Sequence, residues 1–337
     1  MPRTEIISTG YHVPDNLVTN DDLTEWWDTS DEWIRERTGI EQRYWVDKGG
    51  VAEGADAGSD LAVKATEQAL EGAGMDASDI DCIVYATLSP DYYFPGGGVF
   101  LQRKLGLGHI PALDVRNQCT GFVYGLSVAD AWVRTGQYQR VLLVGSEVHS
   151  KGLDYSPDGR DLGVLFGDGA GAVILGPTED DGRGVLSTHL FADGNGAEKL
   201  WLGAEGGADY PRLTTEDVEE GRIYPTMEGR EVFKNAVVRM PQSVHTALEH
   251  NGLGTDDVDL VIAHQANLRI NEMVTRRLGL DDDQVYNNIQ RFGNTTAATI
   301  PIAMHEAVEK GLLERGDLLI LTAFGSGFTW ASAAIRW

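Results

Sequence analysis

Short apolar, β-branched runs bounded by Gly and Asp alternate along the chain with longer stretches whose apolar residues recur at helical spacing. This is the pattern of an α/β fold with buried strands. The runs at 83–86, 141–144, 172–175, 260–263, 318–322 and 331–335 predict strands. Between them, 60–71 (DLAVKATEQALE) predicts an amphipathic helix with its N-cap at Ser59 or Asp60 and its end near Gly72, and 231–249 repeats that pattern.

The pattern also repeats at long range. GMDASDIDCIVYATLSP (74–90) resembles GLGTDDVDLVIAHQAN (252–267): a helix ends at Gly, an Asp-rich turn follows, and a buried strand delivers polar residues at its C-terminal end. VLLVGSE (141–147) followed by FGDGAGAVIL (166–175) similarly resembles LLILTAFGSGFTWASAAI (318–335). Two similar halves, 1–178 and 179–337, divided near 176–184, are expected to pack as a pseudo-twofold pair with a site between them. The Gly-, Asp- and Glu-rich stretch 180–225 reads as a loop excursion between the halves.

Composition narrows the function classes. With 337 residues and 42% hydrophobic content the chain can bury a large core. Its 52 acidic and 27 basic residues give a net charge of −25, which argues against nucleic acid and anionic membrane as partners. The first thirty residues lack a signal-peptide apolar region and no run reaches the roughly 18 apolar residues of a membrane span, so a cytoplasmic protein is expected. The acidic excess fits either a surface adapted to high salt or the acidic end of ordinary bacterial cytosolic proteins. Two cysteines without ligand spacing predict neither a disulfide scaffold nor a metal site.

Cys119 lies in LDVRNQCTGFVYGL (113–126), where a strand-like run meets a helix-like run. A thiol at a helix N-terminus is expected to be stabilised as the nucleophilic thiolate; the competing reading is a small core cysteine. Cys82, inside an apolar strand, reads as core. His264 follows the run 260–263 and so projects from a strand's C-terminal end, where α/β folds place their sites, whereas His189, His245 and His305 read as surface or satisfied core groups. Asn294, in RFGNT (291–295), occupies about the same place in the second half as Cys119 in the first. FGDGAGA (166–172) runs into a strand and not into a helix, which excludes a dinucleotide fingerprint. FGSGFTW (324–330) sits between two strands, as a plain hairpin or as a close backbone approach to a bound acyl group.

Together, QCTGFVY around Cys119, HQANLRI (264–270), RFGNT, FGDGAGA and FGSGFTW resemble the beta-ketoacyl-acyl-carrier-protein synthase III family of the thiolase superfamily. TSDEWIRERTGI (29–40) and EVFK (231–234) extend the resemblance over nearly the whole chain in order. It implies a five-layered αβαβα thiolase-like fold, a homodimer, and decarboxylating condensation of an acyl-CoA primer with malonyl-acyl carrier protein in fatty acid biosynthesis. CoA is then a substrate, with no permanently bound cofactor.

Carried over residue by residue, the resemblance makes Cys119 the nucleophile and makes His264 and Asn294 the donors to the malonyl thioester carbonyl. The backbone N–H groups of Cys119 and Ser326 become the oxyanion hole. Trp33 would stack on adenine, with Arg37 and Arg160 beside the adenine and phosphates and Asn267 near the pantetheine. Lys234, Arg269, Arg276 and Arg277 would form a basic patch for the acidic carrier protein, with solvated helix surface as the competing reading. Phe94 would cross the dimer interface to close the partner's acyl pocket.

Departures bear on the primer: Asn117, Gln118 and Thr120 replace small residues around the nucleophile, Ser326 replaces the middle glycine of F-G-G-G-F, and the loop 150–162 looks longer. A medium-chain or branched primer, or a specialised pathway, therefore competes with acetyl-CoA. Non-decarboxylating condensation of two acyl-CoAs, or acyl transfer to another acceptor, is the alternative within the superfamily. A papain-like hydrolase shares the Cys, His, Asn order but lacks its local signature here. A non-catalytic binding subunit would retain its biological activity in a Cys119→Ala variant.

Overall fold

The computed structural model describes residues 2–46, 56–180 and 182–337. Two sheets frame it. The first contains β1 (Arg3–His12), β2 (Cys82–Ala86), β3 (Ala112–Val115), β4 (Val141–Glu147) and β5 (Gly169–Thr178) in the order β1-β5-β4-β2-β3. The second contains β6 (Gly184–Ala192), β7 (Leu260–Ala263), β8 (Leu318–Gly325) and β9 (Thr329–Arg336) in the order β7-β8-β9-β6. In each sheet a parallel pair (β2 with β4, β7 with β8) is followed by two antiparallel neighbours.

The longer helices among the described residues are α1 (Asp31–Thr38), α2 (Gly58–Ala73), α3 (Gly97–Lys104), α4 (Gly121–Arg134), α5 (Gly229–His250), α6 (Leu268–Leu278) and α7 (Thr299–Glu309). Because side chains alternate along a strand, each sheet has two apolar faces to cover. Leu143 of β4 and Leu321 of β8 face a central core filled by Phe122 and Leu126 of α4 and Ile300 and Met304 of α7. Their neighbours face outward: Leu142 and Val144 pack under Leu61 and Ala65 of α2, and Leu318 and Ile320 under Met240 and Val244 of α5. The resulting succession of helix, sheet, helix, sheet and helix layers is the five-layered thiolase-like architecture. Each fully buried Leu or Ile contributes about 1.5–3 kcal/mol, so the three cores hold the layers in register.

The repeated Asp-rich turns do the same work in both sheets. Asp81, before β2, accepts from the N–H groups of Gln139 and Arg140 at 2.8 and 3.1 Å, and Asp259, before β7, accepts from that of Leu318 at 2.7 Å. Each carboxylate thereby fixes the entry of the parallel neighbour.

Several boundaries differ from the sequence expectation. The stretch 180–225 is not all loop: β6 is a full strand paired with β9, and Asp181 lies outside the described residues. In β1 and β6 polar residues (Ser8 and Thr9, Ser187 to His189) interrupt the apolar ones, so both lack the continuous apolar run of the inner strands. Helix α2 begins at Gly58, with Asp60 reaching back to the N–H of its N-cap Ala57 at 3.0 Å, and ends at Ala73. β4 and β8 run on to Glu147 and Gly325, and these added residues build the site.

Candidate active site

A cavity of about 1450 Å³ opens between the two sheets and is lined by Cys119, His264, Asn294 and Ser326 together with Trp33, Arg37, Arg160, Asn267 and Arg269. Cys119 reaches it through a tight turn. The chain leaves β3, Gln118 takes a left-handed φ of 46°, and the turn Gln118–Thr120 leads into α4. Such a conformation at a non-glycine residue costs about 1–3 kcal/mol and persists only where surroundings enforce it. Here Thr120 Oγ1 donates to Asn117 O and meets Thr329 Oγ1 at 2.9 Å, pinning the turn to β9.

The second half has the same turn before α7, with Thr296 also at φ 46°. Aligning Thr296 with Gln118 places Ala297, not Asn294, at the position of Cys119, so the expected equivalence of Asn294 and Cys119 is displaced by three residues. Asn294 is instead held by the start of the FGDGAGA segment and the residue before it: its N–H donates to Leu165 O at 2.8 Å and its carbonyl accepts from Gly167 N at 3.1 Å.

The thiol's ionisation also differs from expectation. Part of Cys119 is accessible, but its thiol is hemmed in by protein, and burial pushes its pKa up to about 12. The Glu147 carboxyl acts in the same direction, while the N–H groups of Cys119 and Ser326 oppose both. Placement at a helix N-terminus is outweighed, and Cys119 keeps its proton at neutral pH. Glu147 is itself raised to about 7 by burial, against the bonds it accepts from Ser89, Leu88 and Ala297. Alkylation of Cys119 by iodoacetamide should therefore accelerate about tenfold per pH unit from pH 7 to 10, since only the thiolate reacts. A plateau below pH 8, followed by peptide mass spectrometry, would contradict this.

His264 continues β7, its N–H donating to Thr322 O of β8 at 2.8 Å, and its ring is buried. Burial lowers its pKa to about 3, so it is neutral. Nδ1 lies 2.7 Å from Thr299 Oγ1, and that hydroxyl donates to Thr296 O at 2.9 Å. With its proton spent there, Oγ1 accepts from Nδ1–H, an assignment that leaves a lone pair on Nε2, so His264 offers an acceptor in place of the donor that the resemblance implies. Among the described residues Nε2 is buried without a partner. Asn294 has the opposite polarity: its Oδ1 accepts from Thr296 N–H at 2.9 Å, which leaves the Nδ2 hydrogens for a ligand.

The FGSGFTW segment is a hairpin from β8 to β9, and it also approaches the nucleophile. A β-carbon built on Gly325 would fall 2.7 Å from Cys119 Cβ and 3.2 Å from Sγ. Ser326 turns its hydroxyl away to Leu200 O, so the departure from glycine ties the hairpin to the strand Leu200–Leu202 and leaves its N–H at the thiol.

At the other side of the cavity, the guanidinium carbons of Arg37 and Arg160 lie 4.3 and 4.7 Å from the centre of the Trp33 ring. The 150–162 loop that carries Arg160 is anchored by Tyr155, stacked on Trp27 at 5.7 Å, and by Trp27 Nε1 donating to Ser156 O. Asn267 lines the cavity, but its amide is engaged: it caps α6 by accepting from Arg269 N and donates to Arg37 O. Arg269 also lines the cavity, as does Arg230, which sequence reading missed. Lys234, Arg276 and Arg277 are exposed on α5 and α6 and do not line it. Phe94 is 77% exposed and lies outside the cavity of its own chain. Glu147, Thr299, Gly325 and His149 were also not singled out by sequence; their roles arise from contacts between distant segments. Cys82 is buried in the core, as expected.

Comparison with known proteins gives the family. Residues 113–194 match the 3-oxoacyl-[acyl-carrier-protein] synthase III family and residues 248–337 its C-terminal family. The beta-ketoacyl-[acyl-carrier-protein] synthase III of Caldanaerobacter subterraneus subsp. tengcongensis is 44% identical over 98% of this chain and 97% of its own. That of Xanthomonas campestris is 45% identical over 99% of this chain and 98% of its own. The crystal structure of the Thermus thermophilus synthase III superposes with a TM-score of 0.89 at 39% identity, covering 99% of both chains. With near-complete coverage at these identities and with one fold throughout, the chain belongs to the beta-ketoacyl-acyl-carrier-protein synthase III family.

Proposed function

We propose that Cys119, His264 and Asn294 perform, in this chain, the decarboxylating condensation of an acyl-CoA primer with malonyl-acyl carrier protein to a 3-oxoacyl-acyl carrier protein. The observation that carries the reading is the convergence of these three side chains in one cavity whose other side holds Trp33 beside Arg37 and Arg160. In the first half-reaction Sγ of Cys119 attacks the primer thioester. The thiol proton passes to the Nε2 lone pair of His264 and on to the departing CoA sulfur, and the oxyanion is met by the N–H groups of Cys119 and Ser326. In the second, CO2 leaves the malonyl group, Asn294 Nδ2 donates to the enolate oxygen, and the enolate carbon displaces Cys119. The proton that restores the thiol comes from solvent. Covalent capture divides one difficult condensation into two easier steps.

The remaining roles follow from placement. Trp33, Arg37 and Arg160 suit an adenine ring and phosphates, with Asn267 as wall and tether. Arg269, with Lys234, Arg276 and Arg277 on the neighbouring helix faces, offers local positive charge to an acidic carrier protein on a chain of net charge −25. Tyr92, Tyr93 and Phe94 expose 63%, 57% and 77% of their surface side by side, an apolar patch suited to a second copy of the chain, with Phe94 entering the partner's pocket. The halves 1–178 and 179–337 act as two frames, one presenting the nucleophile and the other the groups for decarboxylation. None of the described helices is long and apolar enough to cross a membrane, consistent with a cytoplasmic enzyme.

The test is CO2 release from malonyl-acyl carrier protein with acyl-CoAs from acetyl to dodecanoyl, at low and high salt. Primer-dependent release with formation of 3-oxoacyl-acyl carrier protein is expected. Condensation that proceeds without a malonyl donor would overturn the reading in favour of the non-decarboxylating alternative.

A further inference from the structure

The half-reactions above leave one buried histidine of the same cavity unused. His149 follows β4 by two residues, is 8% exposed, and lines the cavity with Leu88, Ser89, Gln118, Val148 and Phe166. Its position is fixed on three sides. Its N–H donates to Asp168 at 2.6 Å, its ring lies 4.5 Å from that of Phe166, and Nε2 is 2.7 Å from Thr296 Oγ1. The Thr296 turn packs against the Gln118 turn that carries the nucleophile, so this wall belongs to the neighbourhood of Cys119.

Two polar groups on this wall have no protein partner among the described residues. His149 Nδ1 makes no hydrogen bond among the described residues, and neither does the Gln118 side chain; neither belongs to the sealed, unpaired atoms of the interior. Ser89 Oγ differs, being spent on Glu147. An alkyl chain laid here strips water from His149 and Gln118 and returns nothing, a penalty of about ten- to hundredfold in binding per lost hydrogen bond. A carboxylate finds no charge partner in these two groups. Burial keeps the His149 imidazole neutral, with its pKa lowered to about 3, and the Glu147 carboxyl stands behind Ser89.

We propose that the primer is an acyl-CoA bearing a neutral hydrogen-bonding oxygen, a hydroxyl or carbonyl, near its thioester, and that His149, seconded by Gln118, is the residue that selects it. This rests on the reading of Cys119 as the acyl carrier.

The experiment follows acylation of Cys119 by intact-protein mass spectrometry at subsaturating butyryl-CoA, 3-hydroxybutyryl-CoA and succinyl-CoA, for the natural chain, His149→Leu and His149→Gln. The natural chain should favour the hydroxyacyl primer over butyryl by about tenfold or more. His149→Leu should abolish or reverse that preference by slowing the hydroxyacyl primer and quickening butyryl, and His149→Gln, which still hydrogen-bonds, should retain part of it. A natural preference for butyryl or succinyl overturns the proposal, as does an equal slowing of all primers in His149→Leu, which marks a prop for Thr296. No adduct with any primer overturns it together with the role of Cys119. Malonyl-acyl carrier protein is then added to the adduct. An adduct formed with the expected preference that yields no CO2 upholds the selectivity and refutes the synthase reaction.

Discussion

Asn294→Asp is expected to lower CO2 release from malonyl-acyl carrier protein by about 10²–10³ while leaving acylation of Cys119 by acyl-CoA within a few-fold of the natural rate. The split follows from how the amide is held. Oδ1 accepts from Thr296 N–H at 2.9 Å, and an aspartate oxygen keeps that bond, so the turn is preserved. Nδ2 becomes a second carboxylate oxygen, which removes the donor to the enolate and sets a negative charge against it. Stopped-flow acylation and CO2 release measured on one preparation separate the two half-reactions. Equal losses in both would mean that Asn294 supports the architecture of the site and does not act on the enolate.

Gly325→Ala should impair both half-reactions, by about 10² each, because displacement of a reacting group by roughly 1 Å carries that loss. The new methyl would fall 2.7 Å from Cys119 Cβ, closer than two carbons approach without movement. Either the nucleophile or the hairpin bearing the Ser326 N–H must shift. Both choices separate the sulfur from its amide donors, and overpacking of this kind also destabilises by about 1–3 kcal/mol. Acylation rate and thermal unfolding together are decisive: a folded variant that acylates at the natural rate would refute the close approach of hairpin and thiol.

The inner strands, the repeat and the three polar groups of the proposed chemistry were legible because each leaves a local pattern. Asp81 and Asp259 stand at matching places in the two repeat segments and make matching bonds, so that self-similarity reflects geometry. The outer strands β1 and β6 escape the apolar pattern because Ser8 and Thr9 in β1 and Ser187 to His189 in β6 interrupt the apolar run. The ionisation of Cys119 was misjudged because a helix N-terminus can be read from sequence, whereas enclosure and the nearby Glu147, 28 positions along the chain, arise only from packing. Asn294 was set opposite Cys119 by motif spacing, while the shared left-handed turn at Gln118 and Thr296 gives the register. His149 carries no motif at all. It enters the cavity because β4 runs on to Glu147 and because Asp168 gathers the N–H groups of His149 and Ser150.

The most direct measurement is a single-turnover chase. The chain is acylated with a primer CoA, freed of CoA, and mixed with malonyl-acyl carrier protein, with the Cys119 adduct and CO2 followed together. The covalent relay requires one CO2 for each adduct lost, at matching rates, with the primer carbon recovered in 3-oxoacyl-acyl carrier protein. CO2 release that leaves the adduct untouched would contradict it.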